Sequence, residues 1–200
     1  MMFRMILAAT TLLALAACDD NTRRYPLEAT PSTIKVRASV SSVLVRSVSL
    51  PSYAASEEIA FQDEFGVIKL SASDLWADDP ERATTLVISR HLNQMTSATV
   101  APEPWPIEEQ PKATVDVRVE QLVATNRNTL RLSGQYFVGG QEIQPEYSED
   151  PEPKSPRYTI RARSRLFDIE VPLPGAASGA LAVAQSNALR VLSERIAKDL

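Results

Sequence analysis

Val115-Asp116-Val117-Arg118-Val119-Glu120, the triplet Asn126-Arg127-Asn128 and the run Leu130-Arg131-Leu132-Ser133-Gly134-Gln135-Tyr136 decide the fold class. Valine fills every second position of the first segment, and charged residues fill the gaps. In the last segment Leu130, Leu132, Gly134 and Tyr136 alternate with Arg131, Ser133 and Gln135. A two-residue period puts successive side chains on opposite faces of a strand, so each segment has one dry and one wet face. Asparagines between two such runs predict a turn, and the whole predicts a β-hairpin.

Downstream, Tyr158, Ile160, Ala162 and Leu166 predict another alternating strand, and Phe167, Ile169 and Val171 take the opposite phase. That change of phase predicts a bulge near Leu166. Beyond Pro172 and Pro174, the alanine-rich run from Ala176 to Leu200 spaces Leu181, Ala184, Ala188, Leu189, Leu192 and Ile196 as one helical stripe. Gly139 to Arg157, acidic and proline-bearing, has no periodicity and predicts an insert.

Upstream, Asp79-Pro80-Glu81 predicts a helix start: Asp79 can cap, Pro80 suits the first helical position, and Glu81 complements the dipole. Thr84, Val87, Ile88, His91, Leu92 and Met95 then form an apolar stripe that should end between Thr96 and Ala98. Ile34, Val36, Ala38 and Val40 alternate with Lys35, Arg37 and Ser39, which predicts a half-buried strand. Val43-Leu44-Val45 reads as a strand covered on both faces, and Leu50-Pro51 ends the run. Glu58 to Phe61 and Val67 to Leu70 predict two short strands around the loop Asp63-Glu64-Phe65-Gly66. Asp74 to Asp79 predicts a turn carrying Trp76. Pro102, Pro104, Pro106 and Pro111 around Trp105 predict an extended connector. The sum is an α+β fold, a mostly antiparallel sheet with two long helices packed on one face. Residues 34–200 read as a single domain, 18–33 as a tether and 1–17 as a leader.

Composition narrows the function. The 200 residues carry 21 basic and 25 acidic side chains, a formal charge of −4. An acidic surface does not attract nucleic acid, so no nucleic-acid partner is expected. Fourteen prolines against six glycines point to stiff connectors. The leader has Arg4 followed by an apolar run from Met5 to Ala14, the layout of a secretory signal peptide. Leu15-Ala16-Ala17-Cys18 ends it with the chain's only cysteine. This run resembles the lipobox of bacterial lipoproteins, in which the thiol becomes the acylated first residue of the mature chain. The alternative is an ordinary signal peptide with a thiol left at its end. Asp19 and Asp20 after the cysteine resemble an inner-membrane retention signal.

Candidate chemistry is sparse. His91, the only histidine, lies on an apolar stripe with no second ligand nearby in sequence, whereas a zinc site needs three or four. No metal and no cofactor are expected. Gly175-Ala176-Ala177-Ser178-Gly179 lacks the Gly-x-Ser-x-Gly spacing of a nucleophile elbow. The acidic pairs Asp78-Asp79 and Glu108-Glu109 sit beside prolines, where capping and solvation account for them. Arg161, Arg163 and Arg165 fall on one face of a predicted strand. They suit phosphate oxygens, since a guanidinium forks onto two of them, or cross-strand pairing with Asp116 and Glu120. Trp76 and Trp105 read as lids over the core edge or as interface anchors.

The order of these features resembles the ABC-type transport auxiliary lipoproteins, the PqiC-like family. The resemblance runs from the lipobox through Tyr25-x-Leu27, Leu50-Pro51 with Tyr53, Glu58 to Phe61, Trp76-Ala77 ahead of a long helix, the valine-alternating strands and the alanine-rich last helix. Where that family often has an Arg-Trp-Ala-Glu-like run, this chain has Leu75-Trp76-Ala77-Asp78. The resemblance implies a non-catalytic accessory subunit of an intermembrane lipid transporter. Its implied partners are an MCE-domain protein bridging the periplasm, with a permease and an ATPase, at a membrane held through the N-terminal lipid. It also implies a homo-oligomer and the outer membrane, against the inner-membrane signal of Asp19-Asp20. An envelope hydrolase and an outer-membrane assembly lipoprotein are the other readings, and the lack of a nucleophile–base pair favours the accessory subunit.

Cys18→Ser should abolish acylation and leave unprocessed or soluble protein, read by membrane fractionation and by the mass of the N-terminal peptide. A variant that stays with the membrane and still carries acyl chains refutes the lipobox.

Overall fold

The computed structural model describes residues 21–143, 157–175 and 177–200. The hairpin that decides the class is its centre. Strands β6 (Ala113–Ala124) and β7 (Thr129–Gly140) pair antiparallel along their whole lengths, from Ala113↔Gly140 to Ala124↔Leu130. Asn128, at φ 59°, closes the turn, a left-handed backbone that asparagine tolerates better than most residues. Val115, Val117 and Val119 are buried together with Leu130, Leu132 and Tyr136, as the alternation requires. The ladder's one irregularity lies between Val119 and Gln121, where Glu120 is the extra residue. Gly134 faces it, and a Cβ there would stand 2.2 Å from the Arg118 carbonyl oxygen, so only glycine lets the backbones meet so closely.

Everything else in the main sheet attaches to this pair. On the outer side of β7, β10 (Arg163–Pro172) pairs antiparallel in unbroken register from Arg163↔Val138 to Pro172↔Thr129. The predicted bulge near Leu166 is therefore absent. Arg161 and Ala162 precede the strand, and Leu166 points to solvent, 77% exposed. The phase change in sequence marks the start of the strand, where the chain bends over Gly140; Ile160 backbone atoms crowd that glycine so closely that a Cβ would meet the Ile160 nitrogen at 2.5 Å.

Two short strands meet the other side of β6. Near its start, β2 (Ser42–Val45) pairs with it in parallel and is flanked in turn by β5 (Thr99–Pro102), also parallel. Near its end, β3 (Glu58–Gln62) touches it in parallel at Phe61↔Ala124. Strand β3 turns back into β4 (Ile68–Trp76), and β1 (Arg23–Tyr25) lies parallel along the end of β4. Among the described residues the sheet thus has eight strands. Its pairings are mixed, and this corrects the expectation of a mostly antiparallel sheet: β1–β4, β2–β5, β2–β6 and β3–β6 are parallel. Antiparallel neighbours announce themselves by a tight turn, whereas parallel ones are joined by long crossovers that leave no local signal.

Helix α1 (Pro80–Met95) starts where the sequence places it. Asp79 caps it, accepting a 2.7 Å hydrogen bond from the Arg82 amide, and Pro80 takes the first helical position. Ile88, Leu92 and Met95 are fully buried, each stabilising by roughly 1.5–3 kcal/mol over an exposed position. Helix α2 (Ser178–Ala197) buries its whole predicted stripe. Both helices and the dry faces of the strands share one core.

Two segments depart from expectation near the N-terminus. Ile34 to Val40 alternate between wet and drier positions but form no strand; a single bridge joins Val36 to Thr96. The Val36 amide bonds the Met95 carbonyl, and the Ser39 amide bonds the Leu200 carbonyl. An extended chain laid over helix ends has one dry side, as a strand does. Within the expected tether, where Tyr25-Pro26-Leu27 reads as the first contact with the fold, the chain is fastened from Arg23 on through β1, through Ser32 Oγ to Glu194 (2.9 Å) and through Thr30. Trp76, expected in a turn, ends β4 and is buried.

The base of the expected insert is structured. Strand β7 runs through Gly140, and a two-stranded ribbon pairs β8 (Glu142–Ile143) with β9 (Arg157–Tyr158). The Lys112 carbonyl accepts from the Gln141 amide, and the Gln141 carbonyl accepts from the Thr159 amide. The rest of the insert lies outside the described residues.

The free end of α2 is fastened by one buried carboxylate. Asp199 accepts hydrogen bonds from the Tyr136 hydroxyl (2.8 Å), Arg163 (2.6 Å) and, more weakly, Arg165 (3.4 Å). Burial alone would raise its carboxyl pKa; these three donors outweigh burial and hold it below the usual range. Burial, with the bond to Asp199, pushes the Tyr136 hydroxyl up.

Replacing residues 144–156 by Asn-Gly continues the Ile143↔Arg157 pairing as a two-residue hairpin. The melting temperature should stay within a few degrees, and a collapse would show the excised residues to be core. Asp199→Asn should cost about 1.5–3 kcal/mol at neutral pH in urea unfolding, as its donors lose a charged acceptor. A depressed carboxyl stabilises fully above the unfolded value of about 3.9 and less as pH falls through the folded one. The gap between wild type and variant should therefore close in acid.

Candidate functional site

The wet face of the sheet is the first candidate surface. Arg118 forks onto Asp116 (3.0 Å to one oxygen) and lies 5.0 Å over the Phe137 ring. Arg131 forks onto Asp168 across the strands (2.8 Å) and holds that carboxyl below its usual range. Arg127 pairs with Glu170 at 3.1 Å, and the Gln135 amide donates to Ser164 at 2.6 Å. Charge is matched strand by strand, as on a solvated sheet face.

The arginine row is divided. Arg163 and Arg165 both turn to Asp199, while Arg161 stands exposed ahead of β10. Asp116, one of the two acids weighed as their partner, is taken by Arg118. Cys18, Asp19 and Asp20 lie outside the described residues.

His91 is fully buried between α1, α2 and the incoming chain. Its Nε2 lies 2.9 Å from the Thr30 carbonyl, which can only accept, so Nε2 carries the proton. Burial holds its pKa below the ordinary histidine value, against the pull of that hydrogen bond. Ser193 Oγ lies 3.4 Å from Nδ1 but donates its proton at 2.8 Å to the Leu189 carbonyl. This serine–histidine contact has no solvent access, since both residues are wholly buried. Among the described residues, no group of three or more His, Cys, Asp or Glu side chains could hold a metal.

A second buried acid organises the arrival of the chain. Asp74 accepts from Arg23 Nε (2.7 Å) and from Ser178 Oγ (2.6 Å), joining β1, β4 and the start of α2. The Tyr25 carbonyl accepts from the Ala77 amide, and the Tyr25 ring packs against Gly179. Sequence reasoning missed Asp74 and Asp199. The signal for each was weak, an acid beside apolar residues at an element's end with no partner nearby in sequence.

Concave surface is modest. A space of about 10 Å³, room for one water, lies among Tyr25, Leu27, Trp76 and Gln185. A roomier hollow, about 480 Å³, is an open groove between the β3–β4 hairpin and the β6–β7 turn, bordered by Tyr53, Ile68, Glu120 and Arg127. The longest open sheet edge among the described residues, that of β10, is a further candidate. Strand β10 pairs only with β7 among the described residues, so its outer backbone is open to a further strand. Leu166 and alternate charges, ending in Pro172, line that edge, a composition that blunts indiscriminate pairing. No described helix is long and apolar enough to cross a membrane.

Solved structures similar to this chain include two crystal structures. One, of an uncharacterized protein, matches with a TM-score of 0.66 at 14% identity over 88% of this chain and 97% of that one. The other, a Xanthomonas campestris protein of the DUF330 family, matches at 0.55 and 15% identity over 88% of each chain. At these identities the likeness is one of fold. No curated protein matches the chain. A family model covers residues 25–197, from the tyrosine that packs on Gly179 to the last residue of α2. The chain belongs to the family of ABC-type transport auxiliary lipoprotein components.

Proposed function

We propose that this protein is a non-catalytic accessory lipoprotein of an MCE-type intermembrane lipid transporter, acylated at Cys18 and facing the periplasm. It binds and positions the periplasm-spanning MCE-domain protein, in company with the permease and ATPase. The observation that carries this reading is the extent of the family match, residues 25–197, which takes in both helices and every strand from β2 to β10. The family is one of transport auxiliaries, so the whole domain is accounted for by that role.

Three features support the finer statement. The domain offers a ten-residue sheet edge, and an extended segment of a partner can add to such an edge by backbone hydrogen bonds. A lipid at Cys18 confines the domain to one membrane face and raises its effective concentration toward partners fixed there. The one serine–histidine contact described is sealed in the core, where no substrate arrives.

A photo-crosslinker placed at Leu166 or Asp168, in cells, should capture the MCE-domain component or another copy of the chain. A crosslinker at Leu86, on α1, serves as the comparison. Capture of only soluble enzymes, with no transporter component, refutes the proposal.

A further inference from the structure

Five apolar side chains stand in water on one hairpin. Phe65 at its tip is 82% exposed, and Phe61, Val67, Ile68 and Leu70 lie between 39% and 53%. The tip is well built. Asp63 Oδ1 accepts from the Phe65 amide (3.0 Å) and the Val67 amide (2.9 Å), and Gly66 takes φ 81° as the turn requires. Lys69 lies 2.9 Å from Asp63 and offsets its charge. Such a cluster on a rigid tip marks a contact surface.

The topology says what it faces. Strand β4 runs away from the hairpin loop, and β1 lies parallel to it with Arg23 opposite Asp74. Strand β1 therefore begins on the hairpin's side of the sheet. The pairing Glu58↔Leu75 to Gln62↔Ile68 puts the loop four β3 residues beyond Leu75, about 13 Å along the strand. Cys18 precedes Arg23 by five residues, enough extended chain to span about 17 Å. Extended toward the hairpin, that length of chain would bring an acyl group on Cys18 to the level of the Gln62↔Ile68 pair at the base of the loop.

The apolar groups also occupy both faces of the hairpin. Ile68 and Leu70 oppose Gln62 and Ala60 on one side, and Phe61 opposes Lys69 on the other. Lipid can surround both faces of a hairpin at once, which a flat contact with a protein partner or a second copy does not. We propose that the β3–β4 hairpin dips into the bilayer that carries the acylated Cys18, with Phe65 leading and Phe61, Val67, Ile68 and Leu70 at the headgroup boundary. Exposed Glu64 beside Phe65 limits the depth, keeping the tip at the boundary between headgroups and acyl chains. The lipid and the hairpin together form a two-point attachment that orients the domain as well as tethering it. Which bilayer is involved rests on the proposed acylation of Cys18; the hairpin's affinity for lipid is read separately.

The test uses the full chain, purified from membranes and mixed with phosphatidylcholine vesicles carrying a nitroxide high on the acyl chain. An environment-sensitive fluorophore is attached at Val67→Cys or, for comparison, at Ile107→Cys. Ile107 is exposed and follows β5, toward the end of β6 opposite the hairpin. The mass of the N-terminal peptide reports on Cys18 independently. Quenching severalfold stronger at position 67 than at position 107 is the expected result. The same difference with no acyl chain on Cys18 supports the hairpin while refuting the anchor. Equal quenching at the two positions overturns the proposal whatever the state of Cys18. A spectral shift at position 67 that follows protein concentration and ignores lipid overturns it in favour of a second copy.

Discussion

One-sided burial of the β6–β7 ladder is the constraint on which the rest of the molecule depends. With Val115, Val117, Val119, Leu130, Leu132 and Tyr136 turned inward, the ladder has an apolar face that must be covered. The stripes of α1 and α2 share its core. A one-residue slip of either strand would turn that strand's share of these side chains to water. Register is therefore held by packing, and the Glu120 bulge opposite Gly134 is the one place where it shifts. The long strands also set where the short ones can attach: β2 at one end of β6, β3 at the other, β10 along β7.

Where the sequence was legible follows from how local each signal is. The hairpin, the start of α1 at Asp79-Pro80 and the stripe from Leu181 to Ile196 each lie within one element, and each is present in the fold. The parallel pairings were not legible. The partners β2 and β5 are separated by β3, β4 and α1, and nothing in Ser42–Val45 names Thr99–Pro102 as its neighbour. Ile34 to Val40 misled for a related reason, since alternation reports a dry side without saying what makes it dry. The candidate site was less legible still. Asp199 gathers Tyr136, Arg163 and Arg165 from strands far away in sequence, so no spacing rule could have found it, and two of the three arginines singled out by their periodicity serve it.

The two buried acids do related work. Asp74 fastens the arriving chain and the start of α2 to β4, and Asp199 fastens the end of α2 to β7 and β10. Helix α2 is thereby held at both ends by carboxylates that belong to, or reach, the sheet. Removing a single partner from a buried charge costs more than the pair itself contributes, so a displaced end of α2 that left either carboxylate without its donors would be penalised. His91 gives a third fixed point, with its Nε2 proton committed to Thr30 in the incoming chain.

These fixed points bear on how a tethered domain can act. A flexible linker between lipid and fold would let the domain tumble, and any sheet edge would then meet partners at random angles. Here residues 23–33 are bonded to β4, α1 and α2 instead of hanging free. Only the few residues between Cys18 and Arg23 separate a lipid at Cys18 from a rigid body. Were Cys18 acylated as proposed, a leash that short would keep the side of the sheet where β1 begins toward the membrane holding the lipid. Strands β6, β7 and β10 run lengthwise from that side, so under the same proposal the open edge of β10 would extend outward from the membrane. An edge held in that direction is suited to a partner that itself leaves the membrane and crosses the periplasm. Orientation, more than affinity, is what the short leash and the buried clasps would supply to an accessory subunit.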